Sequence, residues 1–167
     1  GSTREVGPLF PAWRGLPGQL RGSAGGARAE RVDHARAVGG EMAVLAEELR
    51  QHHPEIRAII GGKPHDHWVK WTHPLVAQAI STKLLEDLKR DPQTKSVSLS
   101  PDDGATWDES DDTKFDAGDF DPSLQTVAKA DRLMVLCNRI AAVVAPSYPE
   151  VKFGVLAYVD YTRPPVR

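Results

Sequence analysis

The sequence is short of cysteine, of net charge and of long apolar runs, and each shortage removes a class of function. A single cysteine, Cys137, excludes an internal disulfide framework; it lies in an apolar helical pattern and reads as a buried thiol. A formal charge of -2 over 167 residues offers no general attraction to nucleic acid or to an anionic membrane surface, so neither is expected as a partner. No apolar run is long enough to cross a bilayer, and residues 1–30 contain no continuous apolar segment, which leaves exported and cytoplasmic locations both open. Lysine is missing from the whole first third, the first being Lys63.

That last absence coincides with a change of composition. Residues 1–40 hold nine of the fourteen glycines and six arginines (Arg4, Arg14, Arg21, Arg28, Arg31 and Arg36). Such a stretch buries too little apolar surface to offset its ordering entropy, so 1–40 reads as a loosely ordered arm. Glu5, Glu30 and Asp33 dilute its charge, and its aromatic residues Phe10 and Trp13 lie close together rather than interleaved through the arginines, which argues against a nucleic-acid arm. Residues 41–167, in a chain 40% hydrophobic, form the folded domain.

Within that domain helices and strands alternate. Met42, Leu45 and Leu49 recur at helical spacing up to Pro54; Ile56–Ile60 is a β-prone run closed by Gly61-Gly62. Val76, Ile80, Leu84 and Leu88 form the stripe of a helix that begins at Pro74 and ends at Asp91-Pro92, with Lys83, Glu86, Asp87 and Lys89 toward solvent. A strand over Ser96–Ser100 follows, then a helix from about Thr126 to Ala145 carrying Leu133, Leu136, Ile140 and Val143 or Val144, then a strand over Lys152–Val159 that is apolar on both faces. This order predicts an α/β fold of parallel βαβ units with three strands in one sheet.

The chemistry-bearing residues sit between these elements. The Ser96 strand stops at Pro101 and delivers Asp102 and Asp103 to a loop at its C-terminal end, where parallel α/β folds build their sites. Alternation places Asp102 on the face of the small serines and Asp103 on the other; the same Asp-Asp-Gly is also good turn chemistry. Between Asp102 and Asp121 stand nine carboxylates, Glu109 among them, against Lys114 alone. That density suits calcium in number but not in order, and a solvated loop is the simpler reading. The His65-Asp66-His67-Trp68 run, with Trp71 and His73 beyond, has three readings: a His-x-His chelate, a polar loop with half-buried indoles, or a sugar-stacking surface. Asn138-Arg139 either touches the site or pairs locally, and Tyr158, Asp160 and Tyr161 share the Asp102 end if the strands are parallel.

Four segments together carry a family resemblance: His53-Pro54-Glu55 followed by Gly61-Gly62-Lys63; Ser98-Leu99-Ser100-Pro101-Asp102-Asp103-Gly104; Asp131-Arg132-Leu133 with Cys137-Asn138-Arg139-Ile140-Ala141; and Tyr148-Pro149 through Gly154-Val155-Leu156-Ala157-Tyr158 to Tyr161-Thr162-Arg163-Pro164-Pro165. Over about residues 52–165 the chain resembles glycoside hydrolase family 163, a bacterial family long described only as a domain of unknown function. The resemblance implies a (β/α)8 TIM barrel, of which this chain would be a part, and hydrolysis at β-linked N-acetylglucosamine in N-glycans, with substrate-acetamide assistance as one route. Where many relatives carry a cysteine-rich segment, this chain has Trp107-Asp108-Glu109-Ser110. The catalytic candidates are Asp102, favoured by strand parity, and Asp103, favoured by the resemblance, with Glu109 as a more distant third. Trp68, Trp71, Trp107, Asn138, Tyr158 and Tyr161 are the carbohydrate-binding candidates, with no cofactor and no metal. A noncatalytic glycan-binding or structural module is the alternative, and a divalent-metal domain a further one. A part-barrel leaves open strand edges, so self-association is expected.

Overall fold

Val97 and Leu99 alternate with Ser96, Ser98 and Ser100, and the pleat buries the two apolar side chains while the serines stay partly exposed. This strand, β4 (Ser96–Ser98), is the middle of a parallel sheet in the computed structural model, which describes residues 36–37, 47–101, 106–118 and 120–166. All of these belong to the unit Val32–Arg167. On one side β4 pairs with β1 (Arg36–Ala37), Arg36 opposite Val97. On the other it pairs with β7 (Lys152–Gly154), Val97 opposite Phe153 and Ser98 opposite Gly154. The sheet therefore takes a strand from the stretch whose composition reads as an arm. The rest of that stretch, with Met42 and Leu45, lies outside the described residues, as do Asp102, Asp103 and Asp119.

Two helices cover the core. α2 (Pro74–Arg90) starts as its sequence requires, with Pro74 at the first position and His73 Nδ1 accepting from the Leu75 N–H at 3.3 Å. Val76, Ile80, Leu84 and Leu88 are all buried along one face. Asp87, read as solvent-facing, is instead buried, its oxygens taken by Lys83 and Arg90 one turn to either side. α3 (Ala130–Val144) packs against α2 and buries Leu133, Leu136, Cys137, Ile140 and Val144, leaving Val143 outside. It begins four residues later than its apolar pattern suggests, because β6 (Thr126–Val127) pairs antiparallel with β5 (Phe120–Asp121). The order β4, α3, β7 is the expected parallel unit with its helical crossover.

The Ile56–Ile60 run is not the first strand of that sheet. Ile60 and Lys63 pair across Gly61-Gly62, whose φ values of 58° and 75° are those a tight two-residue hairpin turn demands. The turn sends the chain straight back, so β2 (Arg57–Ile60) and β3 (Lys63–Val69) make a separate antiparallel hairpin. The polar run His65–Trp68, read as a loop, is the irregular part of β3; the His65 ring accepts from the His67 and Trp68 N–H groups at 3.1 and 3.3 Å. Before the hairpin, the helical residues 47–52 (α1) bury Leu49 and Arg50, the latter donating to the His67 carbonyl. The last strand is also shorter than its sequence pattern. β7 ends at Gly154, opposite Ser98, the last residue of its partner, and Val155, Leu156, Tyr158 and Val159 are exposed rather than covered on both sides.

Candidate functional site

Since β4 and β7 run parallel, both leave the sheet at one edge, and the residues that follow each strand are brought together there. Leu99 N–H donates to the Gly154 carbonyl at 2.8 Å, and beyond the ladder Ser100 Oγ takes over, accepting from Leu156 N–H at 2.8 Å. The β4 chain then enters Asp102 and Asp103, which lie outside the described residues. The β7 chain runs to Tyr158 and turns through Val159–Tyr161, so that Tyr158, Asp160 and Tyr161 do share the end to which the Ser96 strand points.

The turn is tight. Val159 has φ 44°, a left-handed conformation that a β-branched residue rarely adopts. It is held by Tyr161 N–H on the Tyr158 carbonyl (3.0 Å), Thr162 N–H on the Val159 carbonyl (3.2 Å) and Lys129 N–H on the Asp160 carbonyl (2.6 Å). Tyr161 turns inward and meets Trp107 edge to face, ring centroids 6.0 Å apart. Beside them sits the partly buried Asp160. Burial pushes its carboxyl above the usual range; the Trp107 indole, its own backbone N–H and the more distant charges of Lys129 and Arg132 pull the other way without prevailing.

The acidic loop that follows is built against the hairpin. Asp108, 1% exposed, accepts from Ile59 N–H at 2.7 Å through Oδ1, and from the Ser110 and Asp112 N–H groups at 3.0 Å through Oδ2; Ser110 Oγ reaches both oxygens. Burial raises its pKa, but these hydrogen bonds outweigh burial and hold the carboxyl below its ordinary value. Asp112 accepts from the hydroxyl and the N–H of Thr72, and there burial prevails, with the Asp108 charge adding to it, so its pKa is raised. Lys70 pairs with Asp111 at 2.6 Å. Asp116 takes both Nε and Nη2 of Arg132, the latter at 2.6 Å, and Lys129 Nζ at 2.9 Å; Arg132 Nη1 donates to the Asp108 carbonyl. Asp108, Asp112 and Asp116 are therefore an internal clamp rather than part of a solvated face, while Glu109 and Asp111 stay exposed. Among the described residues no group of three or more His, Cys, Asp or Glu side chains is arranged to hold a metal ion.

The remaining site candidates separate. Glu109 is exposed and bridges to the hairpin turn, Oε2 accepting from Gly61 N–H at 2.7 Å while its own N–H donates to the Ile59 carbonyl. Trp71 and Trp107 are only 5% and 7% exposed, which leaves little ring face for a sugar; Trp68 is partly buried, 6.4 Å from Trp71. Asn138 points outward from α3, whereas Arg139 donates to the Thr72 carbonyl and lies 5.8 Å above the Phe115 ring, which makes it a local fastener. Tyr158, 45% exposed, and the buried Tyr161 flank Asp160. Arg132 and Asp108 carry more of the local architecture than any of the catalytic or carbohydrate-binding candidates. A charged residue at a core-facing position of α3, opposite the acidic stretch, was the available signal for Arg132.

The model of the family described as Domain of unknown function (DUF4838) matches residues 25–167. No curated protein matches the chain, and no solved structure does.

Proposed function

Since this chain belongs to the family described as Domain of unknown function (DUF4838), whose description assigns no activity, we propose a function from the residues themselves: a glycoside hydrolase domain, or a part of one, acting on N-acetylglucosamine-containing glycans. The observation that carries this reading is the parallel pairing of β4 with β7, which directs the chain leading into Asp102-Asp103 and the chain leading into Asp160 to one edge. Glycoside hydrolysis needs a protonated carboxyl beside the leaving oxygen and an ionised carboxylate near the anomeric carbon, the second replaced in part by the substrate acetamide in some N-acetyl sugar enzymes. Carboxyls carried toward one edge by two neighbouring parallel strands would answer to that need. In this reading β1, β4 and β7 form an arc of a (β/α)8 barrel. Exposed Val155, Leu156 and Val159 flank its β7 side, where a second copy or further barrel elements would pack.

The alternative of a noncatalytic glycan-binding module depends on exposed aromatic faces. It is weakened by the burial of Trp71 and Trp107 and retains Trp68 and Tyr158. The deciding experiment measures oligosaccharide release from a panel of N-glycoproteins by the chain, by Asp102→Asn and by Asp103→Asn. Release by the parent, lost in one variant that keeps its fold, is the expected outcome. An inactive parent would overturn the hydrolase reading.

A further inference from the structure

We propose that Asp160 is a catalytic residue of this edge, the acid that protonates the glycosidic oxygen; the inference rests on the hydrolase reading. Three observations point to it. Asp160 lies just beyond β7 at the edge to which β4 also points, and it stays partly open, whereas Asp108 and Asp112 are closed into the clamp. The residue before it, Val159, is held at φ 44°, a conformation that persists only where the surroundings impose it and that gathers at functional sites. Here three backbone hydrogen bonds impose it, one of them on the Asp160 carbonyl itself, so the turn fixes the residue by its backbone and leaves the side chain for other work. Third, the Trp107 indole N–H is buried, has no hydrogen-bond partner among the described residues, and lies near enough to Asp160 to lower its pKa. A buried donor left unpaired is costly, and an ionised carboxylate beside it is a stronger acceptor than the protonated form. A carboxyl whose pKa burial raises, with a donor at hand for its ionised form, is suited to giving up a proton during the reaction.

The step balances without any further reagent. Asp160 gives its proton to the bridging oxygen as the bond from that oxygen to the anomeric carbon breaks, the bonding pair remaining on the oxygen. The leaving sugar departs as an alcohol and Asp160 becomes a carboxylate. The acetamide oxygen of the substrate, or a carboxylate, occupies the anomeric carbon. Water then replaces it, bonding through its oxygen and passing a proton back to Asp160, so that one water is consumed per bond broken.

The test compares two substrates carrying the same oligosaccharide, one on an N-glycoprotein and one as its 4-nitrophenyl glycoside, whose leaving group needs little protonation. In kcat/KM, which reports the steps up to cleavage of the glycosidic bond, Asp160→Asn is expected to lose about 10²–10⁴-fold on the glycoprotein and less than about tenfold on the nitrophenyl glycoside. Asp160→Glu, which keeps an acid one methylene further out, should fall between them on the glycoprotein and serves if the asparagine variant does not fold. A folded variant that keeps its glycoprotein activity, or loses both activities equally, overturns the role of Asp160 and leaves the hydrolase reading standing. A parent inactive on both substrates overturns the hydrolase reading, and the role of Asp160 with it.

Discussion

Replacing Asp108 by asparagine preserves the shape of the side chain and removes one acceptor, which tests how the acidic loop is clamped to the hairpin. The asparagine amide nitrogen must take the place of Oδ1 or of Oδ2. In the Oδ2 place it would face two donors, the Ser110 and Asp112 N–H groups, each at 3.0 Å. In the Oδ1 place it faces the Ile59 N–H alone, since the Ser110 hydroxyl can rotate to accept from it. The less costly arrangement loses one charge-assisted hydrogen bond and leaves one part-buried N–H unpaired, together about 3 kcal/mol. For a folded unit of this size that lowers Tm by about 10 °C. The pH dependence gives the sign. Because the folded pKa of Asp108 lies below its unfolded value, its contribution is complete above the ordinary carboxylate range and is lost as pH falls through the depressed folded pKa. Denaturant unfolding of parent and Asp108→Asn should therefore show a constant gap at neutral pH that narrows on acidification below about pH 4. A gap under about 1 kcal/mol at neutral pH, or one that persists unchanged into acid, would refute the account of the clamp.

Arg132→Met strips Asp116 of its bidentate partner and leaves the Asp108 carbonyl without its Nη1 donor; a loss of about 3–5 kcal/mol is expected in chemical denaturation, with Arg132→Lys recovering only part, as one ammonium cannot serve both acceptors. Gly118→Ala puts a Cβ 2.7 Å from the Ala128 Cβ and 2.8 Å from its carbonyl oxygen, closer than atoms pack, and should destabilise by about 1–3 kcal/mol in the same assay. Burial pushes the Cys137 thiol up to about 11, so a thiol-reactive disulfide at pH 8 should label the native chain at least about a hundredfold more slowly than the unfolded one; labelling at equal rates would show the thiol to be open.

Elements whose side chains keep a regular period were legible in the sequence. Val76, Ile80, Leu84 and Leu88 specify α2, and the serine alternation specifies β4, because burial on one face writes a pattern. β1 has two residues, too few for any period to appear. The Gly61-Gly62 turn could be read, but the return strand could not, since His65–Trp68 leaves the regular ladder and its residues follow no alternation. The clamp was hidden for a different reason. Nine carboxylates look alike in composition, and what distinguishes Asp108 is an N–H donor 49 positions away on Ile59. Asp160 was visible as a residue at a strand end; what sets it apart, the left-handed Val159 and the buried Trp107 beside it, is a matter of backbone angle and depth.

The place of β4 between β1 and β7 bears on when this edge comes into being. Arg36 pairs with Val97 across 61 positions and Val97 with Phe153 across 56, so neither neighbour of the central strand is supplied by a local hairpin. Both pairings must close long loops before any hydrogen bond rewards them, which places them late in folding, after local contacts such as the β2–β3 hairpin. During synthesis, the edge that brings Asp160 to the chain from β4 cannot assemble until residue 160 has left the ribosome, and until β7 emerges the segment leading into Asp102-Asp103 has no neighbour on that side to define its direction.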